Sequence, residues 1–216
     1  MKYGLFGASG KMGRELQSVF SESGHKCVFT LDLEGVRHDD DPEVLIDFSQ
    51  PEVFDTVLHH MTKFKCPLVS GTTGLSQLQL DALKEFSKEL PIVQSYNYSK
   101  GVQILLKATA ILNENLKGWD VEISETHHRF KKDKPSGTAI MLKEVVGKDV
   151  PVSSLRLGNV PGDHTIYFAG LGEVISISHS ATNRRTFAEG VLLAAEFVMS
   201  KTTGLYSFTD VVFHDK

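Results

Sequence analysis

The chain has 216 residues, enough for a substantial core in one large or two small domains. Its charged fraction of 23% and formal net charge of −4 lack the basic excess of a nucleic-acid binder. No apolar run reaches bilayer length, Met1–Gly7 lacks the layout of a signal peptide, and Cys27 and Cys66 read as free core thiols in a reducing compartment. The expectation is a cytoplasmic globular protein with neither nucleic acid nor membrane as partner.

Residues Lys2–Phe6 read as a short apolar strand, followed at once by Gly7-Ala8-Ser9-Gly10-Lys11-Met12-Gly13. Met12, Leu16, Val19 and Phe20 then recur at helical spacing. Strand, glycine turn and helix open a dinucleotide-binding unit. Gly7 suits the tight turn, Gly10 the approach to a pyrophosphate, and Gly13 close packing of helix on strand. The spacing G-x-x-G-x-x-G departs from the commoner G-x-G-x-x-G. A Walker-type loop is disfavoured, because Met12 follows the lysine and Leu5 stands where that motif needs glycine. A second strand, Cys27–Leu31, ends at Asp32, nineteen positions after Gly13, where an acidic group meets ribose hydroxyls. Leu33 follows it, with Arg37 and His38 a few residues on, so NADH is expected to be used at least as well as NADPH.

Asp39–Pro42 reads as a turn, Val44–Phe48 as a buried strand and Glu52–Lys63 as a helix, whose His59 and His60 are structural or solvated. Strand Pro67–Ser70 with turn Gly71–Gly74, helix Ser76–Lys88 and strand Pro91–Ser95 continue the alternation. That pattern predicts a Rossmann-type α/β fold with a doubly wound parallel sheet. Gly7, Asp32, Phe48, Gly71 and Ser95 all fall at strand carboxyl ends, where such sheets bind ligands.

A long helix, Ser99 to about Leu116, starts at an expected hinge into a second domain. Asp120–Glu125 alternates as a half-buried strand and delivers His127 and His128, with Lys131 four residues after His127. Pro135-Ser136-Gly137-Thr138 opens a helix whose unpaired N–H groups would favour a carboxylate. Imidazole moves protons near neutral pH, so the run predicts an acid/base site for an acidic small molecule. Composition alone leaves a solvated basic loop equally open. A metal site is disfavoured: adjacent histidines point apart on a strand, and no third ligand has suitable spacing. Beyond loop Gly158–Gly162 come strands His164–Ala169 and Glu173–Ser180, helix Thr186–Met199 and a last strand over Ser207–Phe213.

The string Glu125-Thr-His-His-x-x-Lys131-x-Asp-x-Pro135-Ser-Gly-Thr-Ala139 resembles the signature of the 4-hydroxy-tetrahydrodipicolinate (dihydrodipicolinate) reductase family. So do Gly7, Gly10, Met12, Gly13 and Arg14, the turn Gly71–Gly74, and Asn97-Tyr98-Ser99, where Tyr98 replaces the family's phenylalanine. The resemblance covers the whole chain. It implies a dinucleotide domain of residues 1–98 and 185–216, and a substrate-binding and oligomerisation domain of residues 99–184. The latter would be an α+β domain whose open mixed sheet makes homotetramer contacts. The implied reaction is NAD(P)H-dependent reduction of a cyclic imino dicarboxylate on the diaminopimelate route to lysine.

By the same resemblance, Gly7–Met12, Asp32, Gly71, Thr72, Thr73 and the segment Ser95-Tyr96-Asn97-Tyr98 hold the cofactor, with no metal. His127 is the implied proton donor and Lys131 a second donor. His128, Gly137 and Thr138 hold a substrate carboxylate, Ser136 shapes the turn, and Arg184 approaches the site. The loop after Asp32 and the stretch before His164 are shorter than is usual in that family. Two rival readings remain: another amino- or keto-acid dehydrogenase, such as one for aspartate or homoserine, and a non-catalytic NADH-sensing module.

Overall fold

The computed structural model describes residues 1–147 and 149–214. They fold as two compact units, one of residues 1–98 together with the chain from Arg185 on, the other of residues 99–184. In the first, strands β1 (Lys2–Phe6), β2 (Lys26–Asp32), β3 (Gly35–His38), β4 (Val44–Asp47), β5 (Leu68–Ser70), β6 (Ile92–Gln94) and β11 (Leu205–Tyr206) make one sheet in the order β11-β6-β5-β4-β1-β2-β3. All neighbours are parallel except β2 and β3.

Period-2 alternation splits the strand residues between two cores. Leu5, Ile46, Val69 and Val93 pack with helices α1 (Lys11–Glu22), α6 (Arg185–Met199) and α7 (Phe208–Val212). Phe6, Leu45, Leu68 and Ile92 pack with α2 (Phe54–Phe64) and α3 (Gln77–Phe86). Both faces are covered, as a doubly wound sheet requires. His60 belongs to the second core, with its Nδ1 2.8 Å from the Thr56 carbonyl and its ring among Phe29 and Phe64, in a structural role.

The second unit carries β7 (Asp120–His127), β8 (Val152–Arg156), β9 (Asp163–Ala169) and β10 (Val174–Ser180) in the order β10-β9-β7-β8. β7 runs parallel to β8 and antiparallel to β9, so the sheet is mixed and open. Helices α4 (Lys100–Asn115) and α5 (Gly137–Val146) bury one face of it through Leu105, Leu106, Ile123, Leu142, Ile166 and Phe168. Ser99 and Ser136 cap these helices, their hydroxyls accepting from Val102 N and Ala139 N.

Three elements differ from the sequence reading. The expected last strand over Ser207–Phe213 is instead the short β11 followed by α7. Ser207 and Asp210 form a capping box, and Phe208 and Val211 are buried at helical spacing. Strand β3, unforeseen, is exposed throughout and pairs back on β2 across Leu33-Glu34. β8 was also unforeseen, because its only apolar residues, Val152 and Leu155, are three apart and face opposite sides, so it shows no period-2 alternation.

Helix α6 lies against the backbone of Tyr98 so closely that a Cβ on Gly190 would fall 1.7 Å from the Tyr98 carbonyl oxygen. Backbone cannot yield as a flexible side chain can, so Gly190→Ala is expected to cost about 1–3 kcal/mol or more. A lower midpoint in urea unfolding is the measurement, and an unchanged midpoint would disprove that contact.

Candidate active site

The glycine turn of the first unit is built for close approach. Gly7 has φ +80, and a Cβ there would lie 2.4 Å from the Phe48 carbonyl oxygen. A Cβ on Gly13 would meet the Gly7 and Ala8 carbonyls at 2.2 and 2.6 Å, so α1 can sit tight on the turn only with glycine. Gly10 is the N-cap of α1 and offers no side-chain cap, which leaves that helix end shaped for an anion. At the end of β2 the Asp32 carboxylate accepts from Ser9 N (2.9 Å) and Glu34 N (2.8 Å). A cleft of about 520 Å³ lies beside it, lined by Ser9, Arg14, Thr30, Asp32, Glu34 and Arg37 among others. These features fit the adenosine and pyrophosphate portions of a dinucleotide.

Asp47, only 3% exposed at the end of β4, accepts from the hydroxyls of Ser70 (2.9 Å) and Thr72 (2.8 Å) and from Ser49 N (3.1 Å). The Thr72 hydroxyl is thus spent inside the protein, fixing the Gly71–Thr73 turn. Tyr98 also turns inward, its hydroxyl donating to the Ser70 carbonyl at 2.7 Å. Only backbone in the Ser95–Tyr98 segment is therefore offered at that point by Tyr98. Gly71, Thr73, Tyr96 and Asn97 lie on the same carboxyl-end loops of β5 and β6.

In the second unit, sheet register assembles the chemistry. Glu125 and His127 are two apart on β7 and share its helix-facing side. On one flank Arg156 pairs with His127; on the other, His164 pairs with Glu125 and His179 with His164. The Arg156 guanidinium donates to both Glu125 oxygens at 2.9 Å, and His127 Nδ1 bonds the same carboxylate. The His127 and His164 rings meet edge to face, 5.0 Å between centroids. His164 Nε2 lies 3.1 Å from the hydroxyl of Ser136 at the head of α5, where Gly137 and the buried Thr138 form the first helical turn.

Burial pushes the Glu125 carboxyl up, but Arg156, with Ser154 and His127, outweighs it and holds the group at about 2. Burial draws His127 below the ordinary histidine range; Glu125 opposes that fall, while Lys131 and Arg156 add to it. His164 is pulled down to about 3, by burial first and by His127 second.

The remaining expected residues separate. His128 follows the end of β7, half-buried, as adjacent strand residues must diverge. The Lys131 amine pairs with the half-exposed Asp133 at 2.8 Å. Arg184 makes no hydrogen bond or ion pair with this cluster among the described residues. Its neighbour Arg185 is tied to Glu22 (2.7 Å) and Glu189 (3.0 Å). No cluster of three metal-ligating side chains occurs among the described residues.

Two family profiles match the chain: "Dihydrodipicolinate reductase, N-terminus" over residues 1–98 and "Dihydrodipicolinate reductase, C-terminus" over residues 101–212. A 4-hydroxy-tetrahydrodipicolinate reductase of Thermosipho africanus is 44% identical over 216 residues, covering 98% of each chain. The chain belongs to the dihydrodipicolinate reductase family. The reductase of Caldanaerobacter subterraneus is 35% identical, with 96% of each chain covered. Among solved structures, a dipicolinate-bound dihydrodipicolinate reductase of Paenisporosarcina sp. TG-14 matches with a TM-score of 0.76 at 22% identity, over 96% of this chain and 97% of that one, a likeness of fold.

Within this family fold, four site residues escaped the sequence reading: Glu125 was quoted without a role, and Asp47, Arg156 and His164 were not singled out. The spacing Glu125-x-His127 was a usable signal, since i and i+2 share a strand face. Arg156 and His164 had none, because their places depend on the register of β8 and β9.

A buried histidine held neutral opposes folding in acid. His164 has its folded value lowered to about 3, so the unfolded chain binds the extra proton between roughly pH 6.5 and 3. Its contribution is present above the unfolded value and is lost as pH falls, at up to about 1.4 kcal/mol per pH unit. Unfolding free energy measured from pH 7 to 4 should fall less steeply in His164→Asn than in the wild type. Equal slopes would contradict a neutral, buried His164.

Proposed function

We propose that the chain catalyses reduction of 4-hydroxy-tetrahydrodipicolinate to tetrahydrodipicolinate by NADH or NADPH, the 4-hydroxyl leaving as water, a step of lysine synthesis by the diaminopimelate route. The observation that carries this reading is full-length likeness to curated reductases, joined to a buried carboxylate–imidazole pair beside a serine-capped helix N-terminus. When bound, the dihydronicotinamide supplies the hydride. His127 then gives a proton to the carbanion-like centre left in the substrate. Lys131 offsets the developing negative charge; its pair with Asp133, on a half-exposed carboxylate, is weak enough to be exchanged for a substrate carboxylate. His128 and the first N–H groups of α5, at Gly137 and Thr138, hold a carboxylate.

NADH serves at least as well as NADPH in this reading. The carboxylates of Asp32 and Glu34 line the ribose cleft and oppose a further phosphate there. Arg37, the cation nearest in sequence, is engaged by the Cys27 carbonyl at 3.0 Å and by Asp39 at 3.5 Å. Homotetramer assembly through the outer face of the second sheet is part of the same proposal. Leu155, Tyr167 and Val174 project there and are 44%, 38% and 62% exposed. No helix among the described residues is long and apolar enough to cross a membrane.

The test is NADH oxidation followed spectroscopically, with the product of a coupled dihydrodipicolinate synthase reaction as substrate. Turnover is expected, with kcat/KM for NADH equal to or above that for NADPH; no turnover with either cofactor overturns the assignment, and a clear NADPH preference overturns the cofactor reading. His127→Gln should lower kcat by about 10²- to 10⁴-fold with little change in KM. Lys131→Ala should lose activity while its unfolding midpoint stays near wild type. Parallel loss of activity and stability in both would assign these residues to structure.

A further inference from the structure

Neither Glu125 nor Arg156 has a part in the steps above, yet both are costly to place where they are. Their side chains are 0% and 9% exposed, and the other Lys or Arg ion pairs among the described residues all have more exposed members. Removing two charges from water is repaid only when geometry is good and the remaining polar atoms are satisfied. Here the geometry is two parallel N–H donations from one guanidinium to the two carboxylate oxygens. Arg156 Nε is turned away to the Lys131 carbonyl, 3.3 Å off, which anchors the loop that carries Lys131.

The carboxylate so held also accepts the Nδ1 proton of His127. Its second ring nitrogen then faces Gly162: a Cβ there would stand 3.0 Å from His127 Nε2. Any larger residue would crowd that nitrogen, so the β8–β9 connection needs glycine at this point. One ring nitrogen is tied to the carboxylate and the other is not.

We propose that Glu125 and Arg156 are positioning residues for His127: the guanidinium fixes the carboxylate, the carboxylate accepts a hydrogen bond from Nδ1–H, and Nε2 is left as the atom that hands a proton to the substrate. The identity of that substrate rests on the reductase reading; the arrangement of protons on the ring does not. In the step itself the Nε2–H bond breaks and a C–H bond forms at the carbon beside the one that received hydride, leaving the imidazole neutral with its proton on Nδ1.

The groups facing His127 pull in opposite directions. Glu125 on β7 favours the imidazolium. Arg156 on β8 and Lys131 on the loop between β7 and α5, itself paired with Asp133, disfavour it. His164 on β9 and His179 beyond it on β10, both lowered chiefly by burial, add no stabilising charge. Removing the carboxylate charge and removing the guanidinium should therefore move His127 in opposite directions.

The experiment is ¹⁵N–¹H NMR of the full chain with ¹⁵N-labelled histidine, titrated in pH, with His127 assigned by its loss in His127→Gln. The wild-type ring is expected to carry its proton on Nδ1 when neutral. Glu125→Gln keeps an acceptor oxygen but no charge, and should weaken protonation of His127 by about tenfold or more. Arg156→Met should strengthen it. A wild-type ring protonated on Nε2 when neutral overturns the proposal even if neither variant folds, as does an unchanged titration in a folded Glu125→Gln. Because the readout needs no turnover, an Nδ1-protonated ring in a chain that fails to reduce the substrate would sink the reductase reading alone.

Discussion

Strand β7 lies between a parallel neighbour and an antiparallel one, and the chemistry of the second unit follows from that placement. The two registers bring Arg156 beside His127 on one flank and His164 beside Glu125 on the other. Slipping either strand by one residue would turn its polar side chain to the opposite face of the sheet. The register is pinned by the core below it, where Ile123, Ile166 and Phe168 pack beneath α4 and α5. A hydrophobic constraint thus aligns an ionic one: apolar residues at alternate positions set the strands, and the polar residues at the strand ends arrive paired.

The first unit uses a different device for the same end. There the carboxyl ends of β4 and β5 are drawn together by one buried carboxylate, Asp47, which collects hydroxyls from Ser70 and Thr72. Loops that must present backbone to a ligand need such anchors, since they lack a core of their own. Asp47 and Glu125 share the property of being buried acids with every oxygen engaged. One orders a loop and the other orders a side chain.

Much of the fold was legible in the sequence because its signals are local. Gly7 and Gly13 announce a turn that only glycine can make, and the alternation of short apolar strands with helices of about a dozen residues announces a covered parallel sheet. His127, Lys131 and the Ser136 cap were visible for the same reason, being contiguous. What was not legible depended on pairing across distance. The tail around Phe208 and Val211 reads equally as strand or helix until the Ser207–Asp210 capping box is weighed. β8 carries one long apolar residue on its exposed side, Leu155, and so resembles a loop. Arg156 looked like any surface arginine, and its partners are a carboxylate 31 residues away in sequence and the carbonyls of Lys131 and Asp133.

The central claim is that His127 delivers a proton during reduction, from a ring held by its neighbours. The most direct measurement is the dependence of kcat on pH for the wild type and for His127→Gln. An acid that must be protonated gives a rate that falls as pH rises through its pKa. The account predicts that fall in the wild type and its disappearance from the residual activity of His127→Gln. The same limb surviving unchanged in the variant would assign the proton to another group.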